Sequence, residues 1–138
     1  MKPCVYIDSA VWIARFEGQP SYKQAINGFL HTFDTIQWTV CISDAVLLEV
    51  LYKPYGNNRT DIINIYQQVF RQTRWLPNYL GIFKDALTIA AREKLRALDA
   101  IHIAFATHYH CEHFITTDVH FKNLSTLPVL WIDLSTVK

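Results

Sequence analysis

Four acidic residues lie beside or within apolar segments, where a charge needs compensation: Asp8, Glu49, Asp99 and Asp118. Two carboxylates about 6 Å apart repel by roughly 3 kcal/mol at an effective dielectric constant of 20, so a group of them raises its own pKa values or holds a cation. Oxygen ligands suit Mg²⁺ or Mn²⁺, which bind phosphate oxygens and lower the pKa of an attacking water. If the fold gathers the four acids, they predict metal-dependent phosphodiester hydrolysis.

Each acid also has an ordinary interpretation when it is taken alone. Asp8 and Asp99 are placed to cap helices, Asp118 is placed for a turn, and Glu49 can be solvated. These interpretations suit any single acid better than they suit all four together.

The elements that would position the acids are alternating strands and helices. Apolar runs rich in β-branched and aromatic residues predict strands over 5–7, 36–42, 75–76, 114–116 and 129–131. Apolar spacings of three and four, with caps, predict a helix after Asp8-Ser9 and further helices over 20–31, 43–54, 60–70, 78–94 and 99–110. Strands that are apolar on both faces predict an α/β fold with a parallel sheet covered by helices on both sides.

In such a sheet the carboxyl ends of the strands and the adjoining helix N-termini form the ligand crevice. This places Asp8, Asp99 and Asp118 at one edge of the sheet. Glu49 lies among apolar residues of the helix after the second strand, where a carboxylate is hard to bury without a positive partner.

Composition indicates one folded domain. The chain has 138 residues, of which 51% are apolar and 18% charged, and a formal net charge of +1. These values exclude intrinsic disorder, and they provide no overall field for nucleic acid or a membrane. The chain lacks a signal-like apolar start and a run of ~18 apolar residues, so we expect a soluble, cytoplasmic protein without membrane contact. Cys4, Cys41 and Cys111 are widely spaced among apolar residues, which favours reduced core thiols.

Four segments around the acids resemble the PIN domain family, especially the VapC-type ribonuclease toxins of toxin–antitoxin pairs. They are YIDSAVWIA, ISDAVLLEVLY, LRALDAIHIAFA and FITTDVHFKNL. Their order and spacing match the family, and the resemblance covers almost the whole chain.

The resemblance implies a single PIN domain over 1–138, with a flavodoxin-like three-layer α/β/α sandwich and strand order 3-2-1-4-5. It implies a Mg²⁺- or Mn²⁺-dependent endoribonuclease that forms homodimers and binds a cognate antitoxin near the active site. Asp8 and Asp99 would be the principal metal ligands, and Asp118 and Glu49 would complete the cluster directly or through water. The RNA target and the choice between Mg²⁺ and Mn²⁺ stay open.

The resemblance also assigns supporting roles. Ser9 would support the ligands, and Thr116 or Thr117 would touch the metal water or a phosphate. Many relatives carry another acid where this chain has His120, so a second metal site is less certain. His120 either meets the phosphate or leaving oxygen, or is a solvated loop residue. Flanking basic residues are candidates for RNA contact: Arg15, Lys53, Arg92, Lys94 and Arg96.

Other interpretations compete with this one. Zinc ligation by His108, His110, His113 and Cys111 is disfavoured, because helix positions two apart point about 200° apart. His102, three residues after Asp99, is favoured as a satisfied, partly buried histidine over a site residue. Phe70, Trp75, Tyr79 and Phe83 belong either to the core or to a dimer or antitoxin interface.

The main alternative function is a catalytically inactive PIN-fold module that binds RNA or protein. The four intact acids argue against it. A signalling receiver is weaker still, because Lys138 at the end of the chain does not supply the lysine that a receiver needs near its last strand.

Overall fold

The computed structural model describes residues 2–32 and 37–137. Strands and helices alternate along the chain, as the sequence predicts. The elements are β1 (Cys4–Ile7), α1 (Ser9–Glu17), α2 (Pro20–Thr32), β2 (Thr39–Ser43), α3 (Asp44–Gly56), α4 (Thr60–Phe70), β3 (Arg74–Leu76), α5 (Ile82–Glu93), α6 (Ala97–His108), β4 (His113–Thr116) and β5 (Val129–Trp131). A short 3₁₀ helix, Val119–Phe121, lies between β4 and β5.

The five strands form one parallel sheet with the order β3-β2-β1-β4-β5, which confirms the predicted α/β fold and strand order. The central strand β1 pairs with β2 on one side and with β4 on the other, and all four of its residues are buried. Helices must therefore cover both faces of the sheet. Because every strand runs in the same direction, the carboxyl ends of all strands meet at one edge.

Aromatic side chains fill much of the core. Tyr6 stacks on Phe114 with ring centroids 5.6 Å apart, and the Trp12 ring meets the edge of Phe70 at 5.3 Å. Phe70, whose role the sequence left open, is therefore a core residue.

Other aromatic residues that the sequence left open lie nearer the surface. Trp75 and Phe83 are exposed, whereas Tyr79 is partly buried and stacks on His108 at 3.6 Å. The three cysteines are buried and free, as the sequence predicts.

Several predicted boundaries shift because side chains find different partners. Ser43 occupies the N-cap position of α3, but its hydroxyl makes no cap bond and pairs with the Tyr6 hydroxyl at 2.7 Å. Asn78 does not cap α5; its amide donates to Asp44, and the helix begins after Gly81, whose φ is +89°. Asp99 lies in the first turn of α6, and Arg96 is the N-cap residue.

The second strand also begins later than predicted. Its predicted first residue, Ile36, lies outside the described residues. The strand starts at Thr39, which is the register partner of Cys4 at the start of β1. The amino end of the central strand therefore sets where β2 can begin pairing.

The described helices are short compared with a bilayer. None of those within 2–32 and 37–137 has the length and apolar character needed to cross a membrane.

Two glycines provide a matched test of the packing. A Cβ on Gly18, at the end of α1, would lie 2.4 Å from the backbone oxygen of Ala14, whereas a Cβ on Gly28, within α2, meets nothing within 4 Å. We expect Gly18→Ala to lower the free energy of unfolding by about 1–3 kcal/mol because the backbone must move. Gly28→Ala should raise it by about 0.5–1 kcal/mol. Urea unfolding followed by circular dichroism measures both; equal stability of the two variants would contradict the packing at Gly18.

Candidate metal centre

Asp8 is held rigidly at the carboxyl end of the central strand. It is the N-cap residue of α1, and its carboxylate Oδ1 accepts a hydrogen bond from the Ser9 backbone N–H at 2.8 Å. Its Oδ2 accepts a hydrogen bond from the Thr116 hydroxyl at 2.9 Å, and its backbone N–H donates to the Ile115 carbonyl at 2.9 Å. Both neighbouring elements, α1 and β4, therefore fix Asp8, and the residue as a whole is only 4% exposed.

Glu49 reaches the same place from α3. Its Oε1 accepts a hydrogen bond from the Ser9 hydroxyl at 2.8 Å and is hydrogen-bonded to the Nε2 of His102. The sequence indicates that a carboxylate in this apolar stretch is hard to bury without a positive partner. The structure leaves the Glu49 side chain 28% exposed and places the His102 imidazole beside it. Ser9 bridges the two acids, with its backbone N–H on Asp8 and its hydroxyl on Glu49.

His102 is the third residue of this group, and the sequence favoured it as a satisfied, partly buried histidine over a site residue. It is fully buried rather than partly buried, and its Nε2 lies 3.9 Å from the Asp8 Oδ1. Its Nδ1 is hydrogen-bonded to the Tyr6 hydroxyl at 2.7 Å. The available signal was a single polar residue in the apolar run of α6, on the same helix face as Asp99 three positions earlier.

The buried polar side chains gather at this one place. Among residues 2–32 and 37–137, those classed as buried and polar or charged are Asp8, Ser9, Ser43, His102 and Thr116. The other four are hydrogen-bonded to Asp8, to Glu49 or to the Tyr6 hydroxyl. Buried polar groups are costly, so their concentration makes this place the candidate functional site.

Asp99 lies near this group but outside it. Its side chain, largely buried in the first turn of α6, accepts a hydrogen bond from the exposed Arg96 guanidinium at 3.3 Å. Its negative charge is close enough to raise the pKa of Asp8. The structure therefore places Asp99 at the rim of the site, paired with a surface cation.

Asp118 is also at the rim. Its backbone N–H donates to the Thr116 hydroxyl at 2.9 Å, and this hydroxyl in turn donates to Asp8. Its Oδ1 accepts from the His120 backbone N–H at 2.9 Å and is hydrogen-bonded to the His120 Nδ1 at 2.7 Å. Thr116, rather than Thr117, thus links Asp118 to the buried carboxylates.

Of the five candidate basic residues, Arg96 pairs with one of the four acids. Its charge also helps to lower the pKa of Glu49. Arg92 donates to the Thr126 hydroxyl, Lys53 lies over the Tyr52 ring, and the half-buried Arg15 lies over the Phe16 ring.

The pKa values of the two central acids, Asp8 and Glu49, are shifted in opposite directions. Burial raises the pKa of Asp8 from 3.8 to about 6, and the charges of Glu49 and Asp99 add to this, against the opposing effects of His102 and Thr116. Burial also acts to raise the pKa of Glu49, but hydrogen bonds from His102 and Ser9 outweigh it and lower that pKa. A cation beside Asp8 would relieve the cost of its charge.

The group formed by Asp8, Glu49 and His102 can hold a metal ion. Each residue offers one ligand atom, and the three atoms lie within 4.8 Å of one another. Two carboxylates with one imidazole fit a divalent cation, because carboxylates supply charge and His is a common ligand.

Comparisons with known proteins agree with this architecture. The family model described as "PIN domain" matches residues 5–127. No curated protein sequence matches the chain significantly.

Solved structures with the same fold include toxin–antitoxin complexes. VapBC2 from Rickettsia felis, bound to a promoter DNA fragment, aligns with a TM-score of 0.73 and 12% identity, over 94% of this chain and 99% of that one. A toxin–antitoxin complex from Klebsiella pneumoniae gives a TM-score of 0.70, 20% identity and coverage of 94% and 98%. DNA-bound VapBC from Salmonella typhimurium gives a TM-score of 0.69 and 13% identity, over 96% of this chain and 100% of that one. At these identities the likeness shows the fold.

Neutralising Asp8 should stabilise the metal-free protein above pH 6. Because its folded-state pKa is raised from 3.8 to about 6, the native carboxyl keeps, in the window from pH 3.8 to about 6, a proton that the unfolded chain has already lost. The free energy of unfolding should therefore fall by up to about 3 kcal/mol as the pH rises through the window. Asp8→Asn should remove this fall.

The measurement is urea unfolding in a chelator at pH 4 and pH 7. Asp8→Asn should match the wild type at pH 4 and exceed its stability at pH 7. Asp61→Asn, which removes an exposed carboxylate on α4, should gain no such stability. A loss of stability in Asp8→Asn at pH 7 would contradict the cost assigned to the buried charge.

Proposed function

Because the chain belongs to the PIN domain family, we propose that it is a metal-dependent endoribonuclease and the toxin of a VapBC-type toxin–antitoxin pair. One observation carries the proposal: Asp8 and Glu49 meet at the carboxyl edge of a parallel sheet, with Asp99 and Asp118 beside them. In this proposal residues 1–138 act as a single PIN domain.

The four acids would hold Mg²⁺ or Mn²⁺. Asp8 and Glu49 are the pair that the fold already joins, and the donor set suits a divalent ion. Asp99 and Asp118 would complete the site from the rim, where each now has a basic or imidazole neighbour. When bound, the ion would stabilise negative charge on the phosphate oxygens and lower the pKa of a water.

The chain's own residues orient the reaction. Ser9, Thr116 and His102 fix the two central carboxylates by hydrogen bonds, so these need little reorganisation when RNA binds. The Glu49 side chain is 28% exposed, against 6% for Asp8, so Glu49 is the better placed to hold the attacking water and accept its proton. The water oxygen would bond to phosphorus as the bond from phosphorus to the 3′ oxygen breaks. The water proton would pass to Glu49 and the 3′ oxygen would take a proton from solvent, giving a 5′-phosphate and a 3′-hydroxyl.

RNA would be held by groups at the rim. Arg96 is exposed and lies beside Asp99, so its guanidinium is positioned for a phosphate oxygen of the substrate. His120 is exposed and oriented by Asp118, where its imidazole can contact the phosphate or the leaving oxygen.

Replacement of Asp8 should abolish cleavage. With Mn²⁺, the wild type should cut a mixed RNA pool into fragments with 5′-phosphates, and a chelator should stop the reaction. Asp8→Asn should reduce the rate at least about 100-fold, the scale of losing one electrostatic group in an active site. Denaturing gels measure the rate.

Asp61→Asn is the matched control, because Asp61 lies on α4, where it is exposed and paired with Arg59. It should cleave like the wild type. RNA retention without cleavage by the wild type would instead support the non-catalytic binding module.

The proposal includes two protein partners, a second copy of the chain and a cognate antitoxin. Two exposed apolar rows suggest the dimer surface. Leu48, Tyr52 and Tyr55 share one face of α3 at spacings of four and three, and Phe83 and Leu87 share one face of α5, with the exposed Leu80 just before that helix. Both helices pack against α6, so the two rows lie on helices that contact the same element. Apolar clusters of this kind on a soluble fold typically mark protein interfaces.

The dimer surface predicts a change of mass on substitution. The wild type should sediment at twice 16.1 kDa, and Phe83→Glu should sediment as a 16.1 kDa monomer because a charge cannot be buried there unpaired. Ile65→Glu, on α4, places the same charge at a less exposed apolar residue outside both rows and should remain a dimer. Analytical ultracentrifugation measures the masses; a dimeric Phe83→Glu would contradict this surface.

A further inference from the structure

We infer that His102 is a direct nitrogen ligand of the ion and that it makes the site prefer Mn²⁺ to Mg²⁺. The inference rests on the metal site of the proposed function. It goes beyond that proposal by assigning a ligand role to the imidazole and by choosing between the two candidate ions.

The His102 imidazole lies beside the carboxylates of both central acids. Its Nε2 is hydrogen-bonded to the Glu49 carboxylate and lies 3.9 Å from the Asp8 carboxylate oxygen. The ring is fully buried, and the Tyr6 ring packs against it edge to face with centroids 5.7 Å apart. An ion shared by Asp8 and Glu49 would therefore lie within reach of the Nε2 of His102.

The other ring nitrogen, Nδ1, is hydrogen-bonded to a chain of two hydroxyls. Each hydroxyl can donate either toward the ring or away from it. Nδ1 is 2.7 Å from the Tyr6 hydroxyl, which is 2.7 Å from the Ser43 hydroxyl. If Ser43 donates to Tyr6 and Tyr6 donates to Nδ1, the ring proton is on Nε2, which then donates to Glu49. If Nδ1 carries the proton, it donates to Tyr6, which donates to Ser43, and Nε2 keeps a free lone pair.

The arrangement with the ring proton on Nδ1 is favourable when a cation is bound. Without one, the Nε2 lone pair would face the lone pairs of the Glu49 carboxylate, which is repulsive. With an ion between them, both become ligands, while Tyr6 holds the ring by its Nδ1 proton as is usual for ligating histidines. The two arrangements contain the same number of protons, so the exchange between them moves the ring proton from one nitrogen to the other and leaves the total charge unchanged.

An imidazole ligand discriminates between the two candidate ions. Mg²⁺ prefers oxygen ligands and keeps several waters, whereas first-row transition ions accept imidazole nitrogen. A site in which one buried imidazole joins the carboxylates should therefore favour Mn²⁺. The imidazole lies in the close group with Asp8 and Glu49, whereas Asp99 and Asp118 reach the site from the rim.

The test is pulsed electron paramagnetic resonance of Mn²⁺ bound to the full chain. Wild-type protein should show a ¹⁴N coupling, which should change to a ¹⁵N coupling when the protein is grown with ¹⁵N-histidine. His102→Gln should lose the coupling, and His120→Gln, the control at the rim, should keep it. Because the isotope experiment uses unaltered protein, the inference stays testable even if His102→Gln does not fold.

Competition binding gives the second readout. The wild type should bind Mn²⁺ at least about 10-fold more tightly than Mg²⁺, and His102→Gln should lose most of this preference. Bound Mn²⁺ without histidine nitrogen coupling, or a coupling that survives in His102→Gln, would overturn the inference and leave the proposed function standing. Failure of the wild type to bind Mn²⁺ at all would overturn both.

Discussion

Two carboxylates at the carboxyl end of the central strand are the constraint on which the functional region depends. Asp8 is almost fully buried and Glu49 partly so, and both approach one imidazole. Negative charges in such a place are costly unless donors or a cation compensate them. The hydroxyls of Ser9 and Thr116 and the ring of His102 provide the donors, and the remaining demand for positive charge is what makes the site suited to a metal ion.

The parallel sheet is the means by which distant residues meet. β1 ends at Ile7, directly before Asp8, β4 ends at Thr116, and the helix after β2 carries Glu49, so all three reach the same edge of the sheet. α6 then adds His102, whose ring joins Glu49 on one side and Tyr6 on the other. This network ties the centre of the sheet to α1, α3 and α6. The same bonds that satisfy buried polar atoms thus also set the direction of the ligand atoms.

The surface has a different organisation from the core. The rim acids each have a local partner, Arg96 for Asp99 and His120 for Asp118, and these partners are exposed. Such contacts are weak in water, so in the proposed function substrate or metal would replace them at little cost. The exposed apolar rows on α3 and α5 lie on the helices that flank α6, which relates the proposed dimer surface to the element that carries Asp99 and His102.

By itself the sequence determined the alternation of strands and helices, the parallel sheet and the position of Asp8, Asp99 and Asp118 near strand ends or helix starts, because apolar periodicity and caps are local properties. The strand order came from the family resemblance. Only the tertiary structure decided the distant partners: His102 with Glu49 across 53 positions and Tyr6 with Ser43 across 37. Contacts between distant residues depend on sheet register and helix packing, which no local pattern specifies.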